Sequence, residues 1–106
     1  WQQSGSTDRM NYAKAQQYIR DLNNQKFAGY VGWRLPTLEE AMSLMESTKK
    51  NGNLYIDPVF DKKQQWIWTA DKQASGVAWG VYFYQGHCNH RYVFYYTFVR
   101  AVRSGQ

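Results

Sequence analysis

Few residues of this 106-residue chain have reactive chemistry to offer. His87, Cys88 and His90 stand together, and imidazole and thiolate are zinc ligands. Structural zinc takes about four such ligands, and no second cluster supplies the remainder. Cys88 as a nucleophile beside a histidine lacks an orienting acid, because no Asp or Glu follows Asp71. Asp57 before Pro58 could offer oxygen to calcium, but that ion needs about six to eight oxygens, and a side-chain-capped turn uses the same residues. Glu39 and Glu40 belong to a helix start and form no catalytic pair. Arg34, Arg100 and Arg103 adjoin apolar positions, which suits structural pairing as well as ligand contact. No catalytic residue, metal or cofactor is therefore expected. What stands out is a set of contact-forming side chains: Tyr82, Tyr84, His87, Asn89, His90, Arg91, Tyr92, Phe94 and Tyr95. Tyr and Arg offer large contact area at low entropic cost, and exposed aromatic clusters mark interaction sites.

The elements that must position this set follow from pattern. Asn11 is a fitting N-cap for a helix over about Tyr12 to Asn23, with Ala15, Tyr18, Ile19 and Leu22 as its buried stripe. Gly32-Trp33-Arg34-Leu35-Pro36-Thr37 joins two halves of the chain. Pro36 keeps Leu35 extended, and Thr37 with Glu40 forms a capping box. A second helix is expected from Leu38 to about Thr48, burying Leu38, Ala41, Met42 and Met45. Ile56-Asp57-Pro58-Val59-Phe60 reads as an anchored turn. Gln65 to Ala70 reads as a short strand, Asp71 to Gly76 as a loop, and Ala78 to Tyr84 as a strand of period two. That period places Trp79, Val81 and Phe83 inward and Tyr82 and Tyr84 outward. Gln85-Gly86-His87 reads as a turn, and residues 92–103 as extended. Trp1-Gln2-Gln3 is expected beside Val99–Arg103. Two helices followed by strands, without βαβ alternation, indicate an α+β fold.

Charge and composition add to this. The net charge is +5, and residues 72–106 carry Lys72, Arg91, Arg100 and Arg103 with no acidic residue. A basic, aromatic C-terminal third suits an anionic or polar partner. Nineteen residues are Trp, Tyr or Phe, too many for all to lie inside so small a core. The single cysteine leaves no internal disulfide. No stretch approaches the roughly 20 apolar residues of a membrane helix, so no membrane insertion is expected. No nucleic-acid motif is present, and nucleic acid is not expected as a partner. The chain opens on Trp1 and reads as one domain over residues 1–106, excised from a longer protein whose flanking regions would set its oligomeric state.

The chain resembles the C-terminal domain of the Legionella collagen-like adhesin, the Lcl C-terminal family. The resemblance is carried by the helix Asn11–Leu22, Gly29-Tyr30, Gly32-Trp33-Arg34-Leu35-Pro36-Thr37 and Glu39. Ile56-Asp57-Pro58-Val59-Phe60, Trp68-Thr69, Ala78-Trp79, Phe83, Gly86 and Val99-Arg100-Ala101-Val102-Arg103 continue it. The resemblance implies a C-type-lectin-like fold: two helices packed on a small, mostly antiparallel sheet with long loops. It also implies that Ile19 and Ala101 pack together, because many relatives carry cysteines at those two positions. The run from His87 to Tyr96 departs from the polar, Asn-rich segment of relatives. With Tyr82 and Tyr84 it resembles the variable proteins of diversity-generating retroelements, which randomise adenine-containing codons near the end of such a domain. The fold also resembles that of formylglycine-generating enzymes, whose oxidase chemistry needs a cysteine pair that this chain lacks.

The resemblance implies a non-enzymatic, adhesion-type bacterial recognition domain that presents residues 82–96 to a glycan, such as a sulfated polysaccharide or glycosaminoglycan, or to a protein. It implies a cell-surface or extracellular location. The alternative is a sensory or targeting module fused to another activity such as a protein kinase, which would be cytoplasmic.

Overall fold

The architecture is taken from a computed structural model that describes residues 1–103, with all their side chains save those of Gln73 and Ala74. The first helix, α1 (Tyr12–Asn24), begins where Asn11 caps it: the Asn11 side chain accepts a hydrogen bond from the Lys14 amide. Its inward residues Tyr12, Ala15 and Leu22 are buried. A short 3-10 turn, Phe27–Gly29, leads to β1 (Trp33–Arg34).

Both halves of the expected capping box are present at α2 (Leu38–Ser43): the Thr37 hydroxyl accepts from the Glu40 amide, and the Glu40 carboxylate accepts from the Thr37 amide. This helix is shorter than the pattern predicts. After Ser43 the backbone turns away to pair with residues 54 and 55, the Glu46 amide donating to the Tyr55 carbonyl and the Lys50 amide to the Leu54 carbonyl. That turn lets Leu54 and Ile56 enter the core. Met42 and Met45 still pack against it as gap-fillers.

Strands β2 (Trp66–Ala74), β3 (Val77–Tyr82) and β4 (His87–Tyr92) form one antiparallel sheet with β3 in the middle. Most of the segment 71–76 expected to be a loop is therefore strand, and His87 starts β4 instead of ending a turn. Residues 93–96 turn instead of extending, and β5 (Val102–Arg103) pairs with β1. Two helices and small antiparallel sheets make an α+β fold whose arrangement agrees with a C-type-lectin-like architecture.

The three-stranded sheet is covered on both sides. One side packs Trp68 and Ala78 with Tyr12, Ala15, Leu35 and Val99. The other packs Ile67, Val81 and Phe83 with Ala41, Leu54 and Ile56. Ile19 packs against the adjoining cluster of Leu22, Trp33 and Ala101.

The first residues bind the last, as expected. The amides of Gln2, Ser6 and Met10 donate to the carbonyls of Ala101, Val99 and Thr97. Buried Arg100 closes the arrangement, its guanidinium donating to the backbone carbonyls of Gln2, Gln3 and Asp61 and to Gln64 Oε1. It also lies over the Phe60 ring, 4.8 Å from its centre. Arg34 pairs with Glu40 in a two-pronged bridge at 2.6 and 2.7 Å. Arg103 stacks over Tyr30 at 3.9 Å. All three arginines thus have structural partners.

Candidate ligand-binding face

Strand β4 and the turn after it carry most of the candidate side chains. In the register of the sheet, Tyr82 faces Trp66 on one neighbour and His87 on the other, and Gly80 faces Trp68 and Asn89. Cross-strand partners project to the same side. Tyr82, His87, Asn89 and Arg91 therefore share one face, whereas Cys88 and His90 share the opposite one with Val81 and Trp79. Cys88 packs into the Val81 cluster, and His90 meets the Trp79 ring edge-on at 5.8 Å. The expectation that His90 lies beside the two tyrosines fails for this reason: alternation along β4 sends it to the other side.

Tyr82 is the second correction. It is buried, at 8% exposure, where an outward position was expected. The expectation assumed a strand with one solvent face, but β3 is central, and its small residues Ala78 and Gly80 admit packing on that side as well. A Cβ on Gly80 would lie 3.1 Å from the Tyr82 ring. Trp79, expected to be buried, is only half-buried, while Val81 and Phe83 are inside as expected.

What the structure does bring together is a continuous row of rings. Phe98 meets Trp66 at 5.8 Å, Trp66 meets Tyr84 at 5.3 Å, and Tyr84 stacks on Tyr82 at 6.2 Å. His87 stacks on Tyr82 at 5.6 Å. Arg91 bridges onward: its guanidinium lies 5.8 Å from the Tyr82 ring centre and 5.1 Å from that of Tyr95. Its Nη1 donates to the Tyr82 hydroxyl at 2.9 Å, and its Nη2 to the Tyr96 carbonyl at 3.4 Å. Tyr95 then meets Tyr92 and Phe94 edge-on, and those two stack at 5.3 Å with their planes 10° apart.

The row is buried at Tyr82 and most exposed at its Tyr92–Phe94 end. Tyr84 is 38% exposed, Tyr92 52%, Tyr95 44% and Phe94 64%. Tyr96, absent from the expected set, is 59% exposed beside them. Trp66 and Phe98 were missed too, and the sequence offered one usable sign of Trp66: a Trp-Ile-Trp run whose odd members must share a face. Asn89 and His87 are exposed, and the Asn89 side chain accepts from the neighbouring His90 amide. Arg91 is the one cation of the row. Trp66 Nε1 and Arg91 Nε are buried and have no hydrogen-bond partner among the described residues.

The arrangement is suited to contact and offers no reactive pair. His87 and Cys88 project to opposite faces of β4, so they do not converge on one ligand position. Asp57 is occupied as a turn cap, its carboxylate accepting from the Val59 amide at 2.8 Å.

Residues 1–103 match a sequence family described as the Lcl C-terminal domain. No curated protein sequence matches the chain.

Proposed function

The chain belongs to the Lcl C-terminal domain family, an adhesin-type family, and from that premise we propose that residues 1–106 act as one non-enzymatic ligand-recognition domain working at the cell surface or outside the cell. Its contact face is the ring row of residues 82–96, with Tyr84, His87, Asn89, Tyr92, Phe94 and Tyr95 touching the ligand and Tyr82 and Arg91 bracing them. His90 faces away from this set and is left out of it. The observation that carries the reading is the exposed end of the row. Tyr92, Phe94, Tyr95 and Tyr96 present large rings to solvent in one turn, although folding alone would place them inside.

The ligand class follows from how the rings are arranged. A sulfated polysaccharide would look for free cationic donors, but Arg91 already donates to Tyr82 and Tyr96 and lies against two rings. Neutral sugars stack on open ring faces, and here Tyr92 covers Phe94 while Tyr84 and His87 cover Tyr82. Exposed rings packed against one another suit a protein surface with apolar and acidic groups. A glycan held by the surrounding basic residues is the second reading, supported by the acid-free composition of residues 72–106. Diversification by a retroelement fits the exposed tip, which can vary without disturbing the core; buried Tyr82 fits it less well.

The test uses beads carrying the domain on cultured epithelial cells. Wild-type beads should adhere, and the Tyr92→Ala/Phe94→Ala/Tyr96→Ala variant should lose adhesion about tenfold or more while its melting temperature stays within a few degrees. Adhesion lost on heparinase treatment of the cells assigns a glycan; adhesion that survives heparinase and enzymatic removal of the other surface glycans, but is lost on trypsin treatment, assigns the protein ligand. A folded triple variant that adheres as well as the wild type places the site elsewhere.

A further inference from the structure

Along the same side of the sheet, α1, the β1–α2 joint and β2 enclose a groove of about 700 Å³. Its walls are Ile19, Leu35 and the ring of Tyr12, whose hydroxyl is turned inside and donates to the Thr69 carbonyl at 3.0 Å. Its rim carries Arg20, Arg34 and Lys72, and no carboxylate is among the lining residues. Arg34 is engaged by Glu40 behind the rim. Lys72 lies 5.1 Å from the centre of the Tyr12 ring, and Arg20 donates through Nη2 to Gln17, leaving its other donors for a ligand. Arg20 and Lys72 come from different elements and both line the one groove.

Small-molecule sites have this composition: mostly apolar walls, a few polar groups that fix orientation, and about 300–1,000 Å³ of space. An inorganic anion would leave the Ile19 and Leu35 walls unused, and an uncharged hydrocarbon would leave the cations unanswered. We propose that the groove binds a small amphiphilic anion, a carboxylate or sulfonate on a flat apolar body, with the body against Tyr12, Ile19 and Leu35 and the charge between Arg20 and Lys72. None of its lining residues belongs to the face at residues 82–96, and it would take a different class of ligand.

The probe is 8-anilinonaphthalene-1-sulfonate, followed by its fluorescence on titration of the folded chain. A single saturable site is expected. Arg20→Ala/Lys72→Ala should weaken it about tenfold or more, the loss of charge-assisted contacts. Ala70→Glu, at an exposed position on the same rim, should weaken it similarly by placing a carboxylate beside the sulfonate. 1-Naphthoate should displace the probe, and acetate at the same concentration should not. Near-UV circular dichroism confirms that each variant is folded. The proposal is overturned if both rim variants bind the probe unchanged, if Tyr92→Ala/Phe94→Ala abolishes the binding instead, or if acetate competes as well as naphthoate.

Discussion

Replacing Arg100 by methionine tests whether the buried guanidinium holds the chain ends together. The arginine is 0% exposed. Its removal strips donors from four acceptors: the carbonyls of Gln2, Gln3 and Asp61 and the side-chain oxygen of Gln64. A buried acceptor left without a partner costs about 1–3 kcal/mol. Gln3 is exposed and Asp61 half-buried, so water can reach those two, and the loss is about 4–7 kcal/mol in all. The opposing effect is relief of charge burial. Burial pushes the Arg100 guanidinium down from 12.5 to about 10, against partial support from Asp61 and Tyr18. A drop of that size corresponds to about 3 kcal/mol at roughly 1.36 kcal/mol per unit, and methionine recovers it. The net expectation is a loss of about 1–4 kcal/mol. For a domain of this size that lowers Tm by roughly 5–25 °C, read by far-UV circular dichroism and checked by urea denaturation. Arg100→Lys, which keeps the charge but reaches fewer acceptors, should fall between. A methionine variant that melts within about 4 °C of the wild type, or above it, would show that charge burial outweighs the hydrogen bonds, as replaced buried ion networks sometimes show.

Gly5→Ala should be severely destabilising, because a Cβ there would sit 2.0 Å from the Val99 carbonyl oxygen; a soluble variant with an unchanged Tm would refute that close approach. Glu40 is held at about 2, below its usual 4.5, first by Arg34 and then by the Thr37 amide. Its contribution is therefore complete above about pH 4.5 and lost as pH falls toward 2, and partial exposure limits it to about 1 kcal/mol. Thermal melts between pH 5 and 2 should fall more steeply for the wild type than for Glu40→Gln, and parallel curves would contradict the assignment. Thr37→Ala removes the cap of α2 and should cost about 1 kcal/mol by urea denaturation. Tyr82→Phe removes the hydroxyl that Arg91 donates to and should cost about 1 kcal/mol in urea denaturation while freeing the guanidinium, so binding to a heparin surface should rise; unchanged stability and heparin binding would remove Arg91 from its bracing role.

The local signals in the sequence were sound where one short motif decides the outcome. Asn11, the Thr37–Glu40 box and the apolar stripe of α1 each act over three or four residues, and the structure follows them. The length of α2 was not legible, because the capture of residues 46 and 50 by residues 54 and 55 depends on where Leu54 and Ile56 are buried, which periodicity does not state. Tyr82 was misplaced for a related reason. Alternation fixes which residues share a side but not how many sides are covered, and only the central position of β3 settles that. The small residues Ala78 and Gly80 were the available hint, since a strand facing water has no need of them. The candidate face was legible as composition, through its run of Tyr, Phe and Arg. Its order, in which Arg91 links Tyr82 to Tyr95, depends on a register that composition does not carry.

The bonds from Gln2, Ser6 and Met10 to residues 101, 99 and 97 impose a timetable on the ribosome. The earliest segment of this domain has no partner until nearly the whole domain has been synthesised. Contacts this distant along the chain close slowly. During that interval Trp68, Val81 and Phe83 have no complete cover, so the nascent domain depends on fast completion or on a chaperone. A premature stop even a few residues before Val99 would therefore produce a chain unable to seat its own beginning. For a chain carrying so many aromatic residues, that favours degradation or aggregation over a partly working fragment.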